Sequence, residues 1–538
     1  QGCMNSITNL LPVTSSEDVR QSLKNGAEIA LLDVREEGPF ASAHPLFAVN
    51  LPVGRIEERI VGLVPRKDAP IVVYDNGEGR TAKAVRLLQA LGYSDVSALE
   101  GGLEGWKRSG GEIFIDVNVP SKAFGELVEH VRHTPSLPAR EVHDRIKRGD
   151  DLVILDARRF IEYNVMSIPG GRSVPGGELA LRVRDIAPSP ETTVIVNCAG
   201  RTRSIIGTQS LVNAGIPNPV FALRNGTIGW TLEGLSLEHG AARKGADVSE
   251  QNQQAARDRA ELLAERTGVR SVTADGLERF LADPERTVYR LDVRSPEEYV
   301  EGHLKGFRSA PGGQLVQATD EWVGVRHGTI VLTDDDGVRA RMTGHWLRQL
   351  GWNEVYVLEK WDGLPFEKGQ EAPLLSQPLP DVETISAVEL HERLQERDVL
   401  VLDLATSPVF RKGHIPGARF VIRPDLVSHP VIRGAEEIVL VSPNGIAAHL
   451  AAPDLAGGSR RIRVLRGGTE AWQAAGYALE TGLDDSQAFS TPDDVYKRPY
   501  EGTDNAAEAM QAYLDWEYGL VAQLEEDGTH GFRVLENI

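Results

Sequence analysis

The chain has 538 residues, 41% hydrophobic and 25% charged, with a formal net charge of −20. At roughly 150 residues per domain this is enough chain for three or four globular units. The acidic balance argues against nucleic acid and anionic membranes as partners, since both select basic surfaces. No apolar run is long enough for a transmembrane helix, and the opening QGCMNSITNLLPV has neither the basic nor the apolar region of a signal peptide. Met4 is expected to be the natural start, with Gln1, Gly2 and Cys3 a remnant ahead of it. That leaves Cys198 as the single native cysteine. Such a chain has no disulfide framework, and a reducing cytoplasm is the expected location. The 13 histidines are scattered and no cysteine pair accompanies them, so neither a metal site nor a cofactor is expected.

In chain order, one grammar recurs four times. Each unit opens with an apolar strand ending in aspartate: ALLDVRE (Asp33), VILDARR (Asp156), YRLDVRS (Asp292) and LVLDLAT (Asp403). A second apolar strand follows: IVVYD (Asp75), VIVNC (Cys198), IVLTD (Asp334) and IVLVS (Ser442). The two marks are 42, 42, 42 and 39 residues apart, a spacing that identifies internal repeats. Three units close with a Gly-rich turn and tryptophan (Trp106, Trp230, Trp472). In the third, Trp361 comes early, which predicts a shortened closing turn.

Helical patterns lie between the strands. In RTAKAVRLLQALG, Val85, Leu87, Leu88 and Leu91 follow the 3.6-residue period and Gly92 supplies a stop. Alternation of strand and helix predicts an α/β fold of four tandem domains, each a mainly parallel sheet flanked by helices on both faces. The expected bounds are 4–112, 113–240, 241–372 and 373–482, with a tail at 483–538. A polar linker helix is expected to open the third unit. The tail is expected to form one amphipathic helix, capped by Thr503 or Asp504, with Met510, Leu514, Val521 and Leu524 docked on a domain.

Ligands of open parallel sheets bind beyond the carboxyl ends of the strands, and Cys198 stands at such an end in VIVNCAGRTRS. Ala199 and Gly200 let the backbone curl so that N–H groups face inward as an anion nest. The following helix turns its positive end toward the loop, and Arg201 and Arg203 add charge. All three effects favour the thiolate, which predicts a depressed thiol pKa and a nucleophile.

The strand–CAGRTRS–helix arrangement, the upstream LDAR and IPGG segments and the downstream GxxGW turn resemble the rhodanese domain (thiosulfate:cyanide sulfurtransferase). The resemblance covers all four units, with the full motif only in the second. It implies a ping-pong reaction in which Cys198 takes the outer sulfur of thiosulfate, releases sulfite and passes the persulfide sulfur to cyanide or a thiol. Cys198 is then the catalytic residue, and Ala199, Gly200, Arg201, Thr202, Arg203 and Ser204 bind substrate, Ser204 chiefly as a helix cap. Two variants stay open: a carrier delivering sulfur to a partner protein, and mercaptopyruvate as donor. Rhodanese-fold phosphatases place their arginine one position further on, which makes a wider cradle. A pure binding scaffold would not need the intact loop.

Units one, three and four hold Asp75, Asp334 and Ser442 at the cysteine position and are expected to be inactive. In units one and three the aspartate is expected to pair with Arg80 or Arg339. The recurrent Asp–x–Arg (Asp33/Arg35, Asp156/Arg158, Asp292/Arg294) reads as a structural ion pair, and His303 and His414 as turn stabilisers.

Overall fold

The computed structural model describes residues 10–536, so Cys3 and Met4 lie outside the described residues. Four five-stranded parallel sheets follow one another, each with the spatial order first, fifth, fourth, second, third. In the second unit these strands are Ser136–Leu137, Val220–Leu223, Thr193–Asn197, Leu152–Asp156 and Arg172–Ser173. The apolar runs become strands because both faces are covered: Val194, Ile195 and Val196 are wholly buried. From the central fourth strand the chain leaves toward the fifth, and from its neighbour, the second, toward the third. The carboxyl ends of these two strands therefore flank a topological switch point, where a crevice forms. Asp156 ends one and Asn197, directly before Cys198, ends the other.

Recurring sequence features recur as geometry. The buried indoles of Trp106, Trp230 and Trp472 donate to the carbonyls of Glu112, Ser236 and Ala478 at 2.9, 2.9 and 3.0 Å. The third unit has no closing helix after Val355–Leu358, and Trp361 donates to Thr333 Oγ1 instead. Arg35, Arg158 and Arg294 pair with Asp33, Asp156 and Asp292 at 2.7, 2.7 and 2.8 Å. Each arginine also donates to a carbonyl eight residues on, which ties the strand end to the next turn. His303 and His414 bond the carbonyls of Tyr299 and Phe410 and stack on those rings. His44 stacks likewise on Phe40 in unit one, a counterpart hidden by the different sequence SAHPLF.

The expected helices form at Thr81–Ala90 and, for the linker, at Glu250–Thr267. Gly176 and Gly177 of unit two pack directly on Gly312 and Gly313 of unit three. Arg339 of unit three reaches Glu178 of unit two at 3.0 Å. Gly54 of unit one lies on Arg423 of unit four, whose guanidinium meets Glu57 at 3.2 Å. The helix Val119–Arg132 packs along the helix Thr202–Asn213 that follows the Cys198 loop.

The tail differs from expectation. It forms two helices, Ala507–Tyr518 and Leu520–Asp527, broken at Gly519, the poorest helix former after proline. Thr503 and Asp504 do not cap the first of them. It starts at Ala507, while the Asp504 carboxylate is engaged by Lys497 at 3.1 Å. The tail also touches every unit. Phe489 N–H donates to Phe420, Arg498 pairs with Glu37, Tyr513 packs on Ala199 and Arg533 N–H donates to Gln349. Leu514 and Leu524 of the expected stripe are buried, and Met510 and Val521 half-buried. Among the described residues no helix is long and apolar enough to cross a membrane.

Candidate functional site

Cys198 is 2% exposed. Its Sγ accepts from Ser204 Oγ at 3.0 Å and from Ser204 N–H at 3.3 Å. Ser204 therefore serves the sulfur, and the helix-cap role expected for it is not observed: the helix starts earlier, at Thr202, after Arg201. The donor position, six residues beyond the first residue after the strand, is the same in all four units. Thr81 N–H reaches Asp75 at 3.1 Å, Ala340 N–H reaches Asp334 at 2.7 Å and Ala448 N–H reaches Ser442 Oγ at 3.2 Å. Asp75 also accepts from Gly77 and Arg80 N–H groups, and Asp334 from those of Asp336 and Gly337. One inward amide thus reaches the central residue in every unit, and two more join it in units one and three to make a nest.

This corrects the expected pairing of these aspartates with Arg80 and Arg339. The carboxylates are held by backbone amides, while Arg80 faces Glu36 at 3.6 Å and Arg339 grips Glu178, Glu298, Asp335 and Asp336. Burial, then Asp336, push the Asp334 carboxyl up to about 7.

The closing turn fixes the other side of the loop. Thr227 N–H donates to the Cys198 carbonyl and Ile228 N–H to that of Ala199, both at 3.0 Å. Gly226, at φ +57°, makes this approach possible, since a Cβ there would stand 2.2 Å from the Cys198 carbonyl oxygen. Gly102 and Gly468 occupy the same place against Asp75 and Ser442. The recurring second residue of the GG or NG turn was the available signal for this role.

Both arginines are already paired. Arg201 faces the helix Val119–Arg132, where it binds Glu126 at 2.7 Å and Glu129 at 2.8 Å and lies 4.2 Å from the Tyr518 ring centroid. Arg203 binds Glu162 at 2.9 Å and Gln314 of unit three at 3.3 Å. Burial opposes charge on Glu162, but Arg203 outweighs it and holds the carboxyl well below its usual range. Glu162 lies six residues beyond Asp156, as Glu298 does beyond Asp292, a recurrence that marks the glutamate in the sequence.

The expected low thiol pKa is not found. Burial pushes the Cys198 thiol up, and the nearby Glu517 adds to it. Arg203 and the two Ser204 hydrogen bonds pull the other way without prevailing. The cover responsible is the tail: Ala199 packs with Ile228, Tyr500, Tyr513 and Leu514. Thr202 Oγ1 donates to Glu517 at 3.3 Å. A Cβ on Gly200 would lie 3.0 Å from Glu517 Oε1 and 3.1 Å from the Tyr513 ring. Lys122, buried beneath, pairs with Asp116 at 2.7 Å and lies under the Tyr500 ring. A groove of about 230 Å³ runs beside the loop, lined by Ile228, Leu237, Tyr500 and Met510 among others. The site thus brings together a thiol, a nest of amides and a cover of carboxyl and aromatic groups. The Ser204 donors are placed to stabilise negative charge on the sulfur once it forms.

A family model described as the rhodanese-like domain matches residues 15–109, 138–233, 273–360 and 386–475, more than half of the chain. The crystal structure of a thiosulfate sulfurtransferase from Pseudomonas aeruginosa is 53% identical with a TM-score of 0.95, covering 98% of this chain and 100% of that one. A curated thiosulfate sulfurtransferase of Pseudomonas aeruginosa is 29% identical over 26% of this chain and 58% of its own length. Thiosulfate sulfurtransferase PspE of Escherichia coli is 33% identical over 12% of this chain and 62% of its own length. The chain spans less than two thirds of either curated relative.

Proposed function

Since the chain belongs to the rhodanese-like domain family, we propose that it is a thiosulfate sulfurtransferase working through a persulfide on Cys198. One observation carries the reading. Unit two alone holds a sulfur at the centre of the amide nest, with two donors from Ser204 on it, where units one and three hold carboxylates. A cradle that accommodates carboxylates also fits a thiolate and an anionic persulfide.

The Cys198 thiol first loses its proton. The thiolate attacks the outer sulfur of thiosulfate, a new S–S bond forms, and the old one breaks with its electron pair leaving on sulfite. The Ser204 N–H and O–H stabilise the anionic sulfur before and after attack, and the helix N-terminus of Thr202–Asn213 favours the departing charge. An acceptor such as cyanide or a thiolate then attacks the terminal sulfur and Cys198 leaves as thiolate. Because Arg201 and Arg203 are committed to glutamates, their part is to hold the loop, Arg203 adding its field at the sulfur.

Mass spectrometry of the intact protein tests this. Thiosulfate adds about 32 Da, one sulfur as persulfide, and cyanide removes it. Cys198→Ser abolishes the adduct; a Cys198→Ser protein that keeps full turnover overturns the reading.

A further inference from the structure

The Cys198 loop is covered by an acid that the family domains do not supply. Glu517 lies on the tail helix Ala507–Tyr518, outside all four matched segments, and is wholly buried. Its Oε2 accepts from Thr202 Oγ1, while Oε1 has no hydrogen-bond partner among the described residues. That oxygen stands over Gly200, which has no side chain to interpose, in the middle of the Cys198 loop. An unpartnered buried oxygen costs free energy, which a hydrogen bond from a bound molecule would offset.

The charges around it leave Glu517 as the odd acid. Lys122 and Glu126 face it from the helix Val119–Arg132, but Lys122 is taken by Asp116, and Glu126 with Glu129 takes Arg201. From the loop come Cys198, Arg201 and Arg203, the last bound to Glu162. Tyr513 on its own helix and Tyr500 from the preceding segment enclose it. Every nearby cation thus has another carboxylate partner. Burial, then Glu126, push the Glu517 carboxyl up to about 8, so near neutral pH it is an O–H donor.

We propose that Glu517 is a specificity-determining residue of the Cys198 site: as a neutral acid it admits and hydrogen-bonds an anionic sulfane-sulfur donor, and as a carboxylate it turns that donor away. This rests on the transferase reading above. Like charges in a desolvated pocket repel strongly, and a neutral carboxyl removes the repulsion while adding a donor. Thiosulfate keeps both its charges throughout the range in which Glu517 titrates, so the pH dependence of its binding reports the protein.

The experiment is steady-state turnover of thiosulfate by the full chain from pH 6 to 9.5, with KM and kcat separated. In the wild type, KM rises about tenfold per pH unit above about pH 8, as expected for loss of one required proton. In Glu517→Gln, which is neutral at every pH, the tenfold-per-unit alkaline rise of KM is lost, the ionisation of Cys198 still shows in kcat, and at pH 9 KM falls about tenfold below the wild-type value. A wild-type KM that stays flat overturns the assignment without recourse to any variant. So does a Gln variant that keeps the alkaline rise, or one whose KM is raised at every pH. Absence of the persulfide adduct in the wild type fails the transferase reading itself, whereas a normal adduct with a flat KM fails only the role of Glu517.

Discussion

The loop of unit two and those of units one and three are built alike and occupied differently. All present an amide to the residue that follows the strand, six positions before it, at 3.3 Å for Cys198 and 3.1 and 2.7 Å for Asp75 and Asp334. An aspartate in the nest fills the site with its own carboxyl group, held there by the amides. A cysteine leaves the anion to be made on demand, by deprotonation or by taking up sulfur. The cradle therefore belongs to the fold, and the chemistry belongs to one atom at its centre together with what covers it.

The strongest test of that comparison turns unit two into its neighbours. Cys198→Asp removes the persulfide adduct and turnover completely while leaving the melting temperature near wild type, because the amides accept a carboxylate as they do in units one and three; activity and thermal unfolding measured together check this. Next is the ion pair shared by three units. Arg158→Ala strands the buried Asp156 and costs about 3–5 kcal/mol in chemical denaturation, the usual penalty for breaking a buried pair from one side. The closing turn separates fold from chemistry. Gly226→Ala and Gly102→Ala each cost about 1–3 kcal/mol through a crowded left-handed residue, yet only Gly226→Ala lowers turnover, since only it displaces the Cys198 carbonyl.

The smallest effect lies in unit four, where Ala405 replaces the arginine. Burial pushes the Asp403 carboxyl up to about 7, against one N–H from Ala405. Its folded-state value lies above the unfolded one of about 4. The stabilising protonated form is therefore fully present below about pH 4, and its contribution is lost as pH rises through about 7. Asp403→Asn accordingly raises the melting temperature by a few degrees near pH 8 and leaves it unchanged near pH 4, as differential scanning calorimetry will show.

What repeats was legible in the sequence, because recurrence marks structural need: the strand pairs, Asp156 with Arg158, the tryptophans and the amide nest. The environment of the sulfur was not legible. Arg201 and Arg203 read as free charge, since their partners Glu126 and Glu162 come from other elements. The thiol pKa depended on burial by a segment some three hundred residues away in sequence, whose apolar stripe announced docking but gave no address. Glu517 falls on that stripe, three residues after Leu514 and four before Val521, and an acid at an apolar position of the period was the signal available for it. Ser204 read as a cap because Ser is a common cap; the helix instead starts at Thr202, which frees the hydroxyl for the sulfur.

The tail that covers Cys198 is also the last part of the described chain to be made. Domains fold in order as the chain is synthesised, so unit two completes its sheet and its nest while Tyr500, Tyr513 and Glu517 do not yet exist. For that interval the thiol has its two Ser204 donors without the Glu517 carboxyl that raises it. The loop that holds Cys198 is thus complete before the groups that cover it, and the closing of the tail is the last step in setting the surroundings of the sulfur.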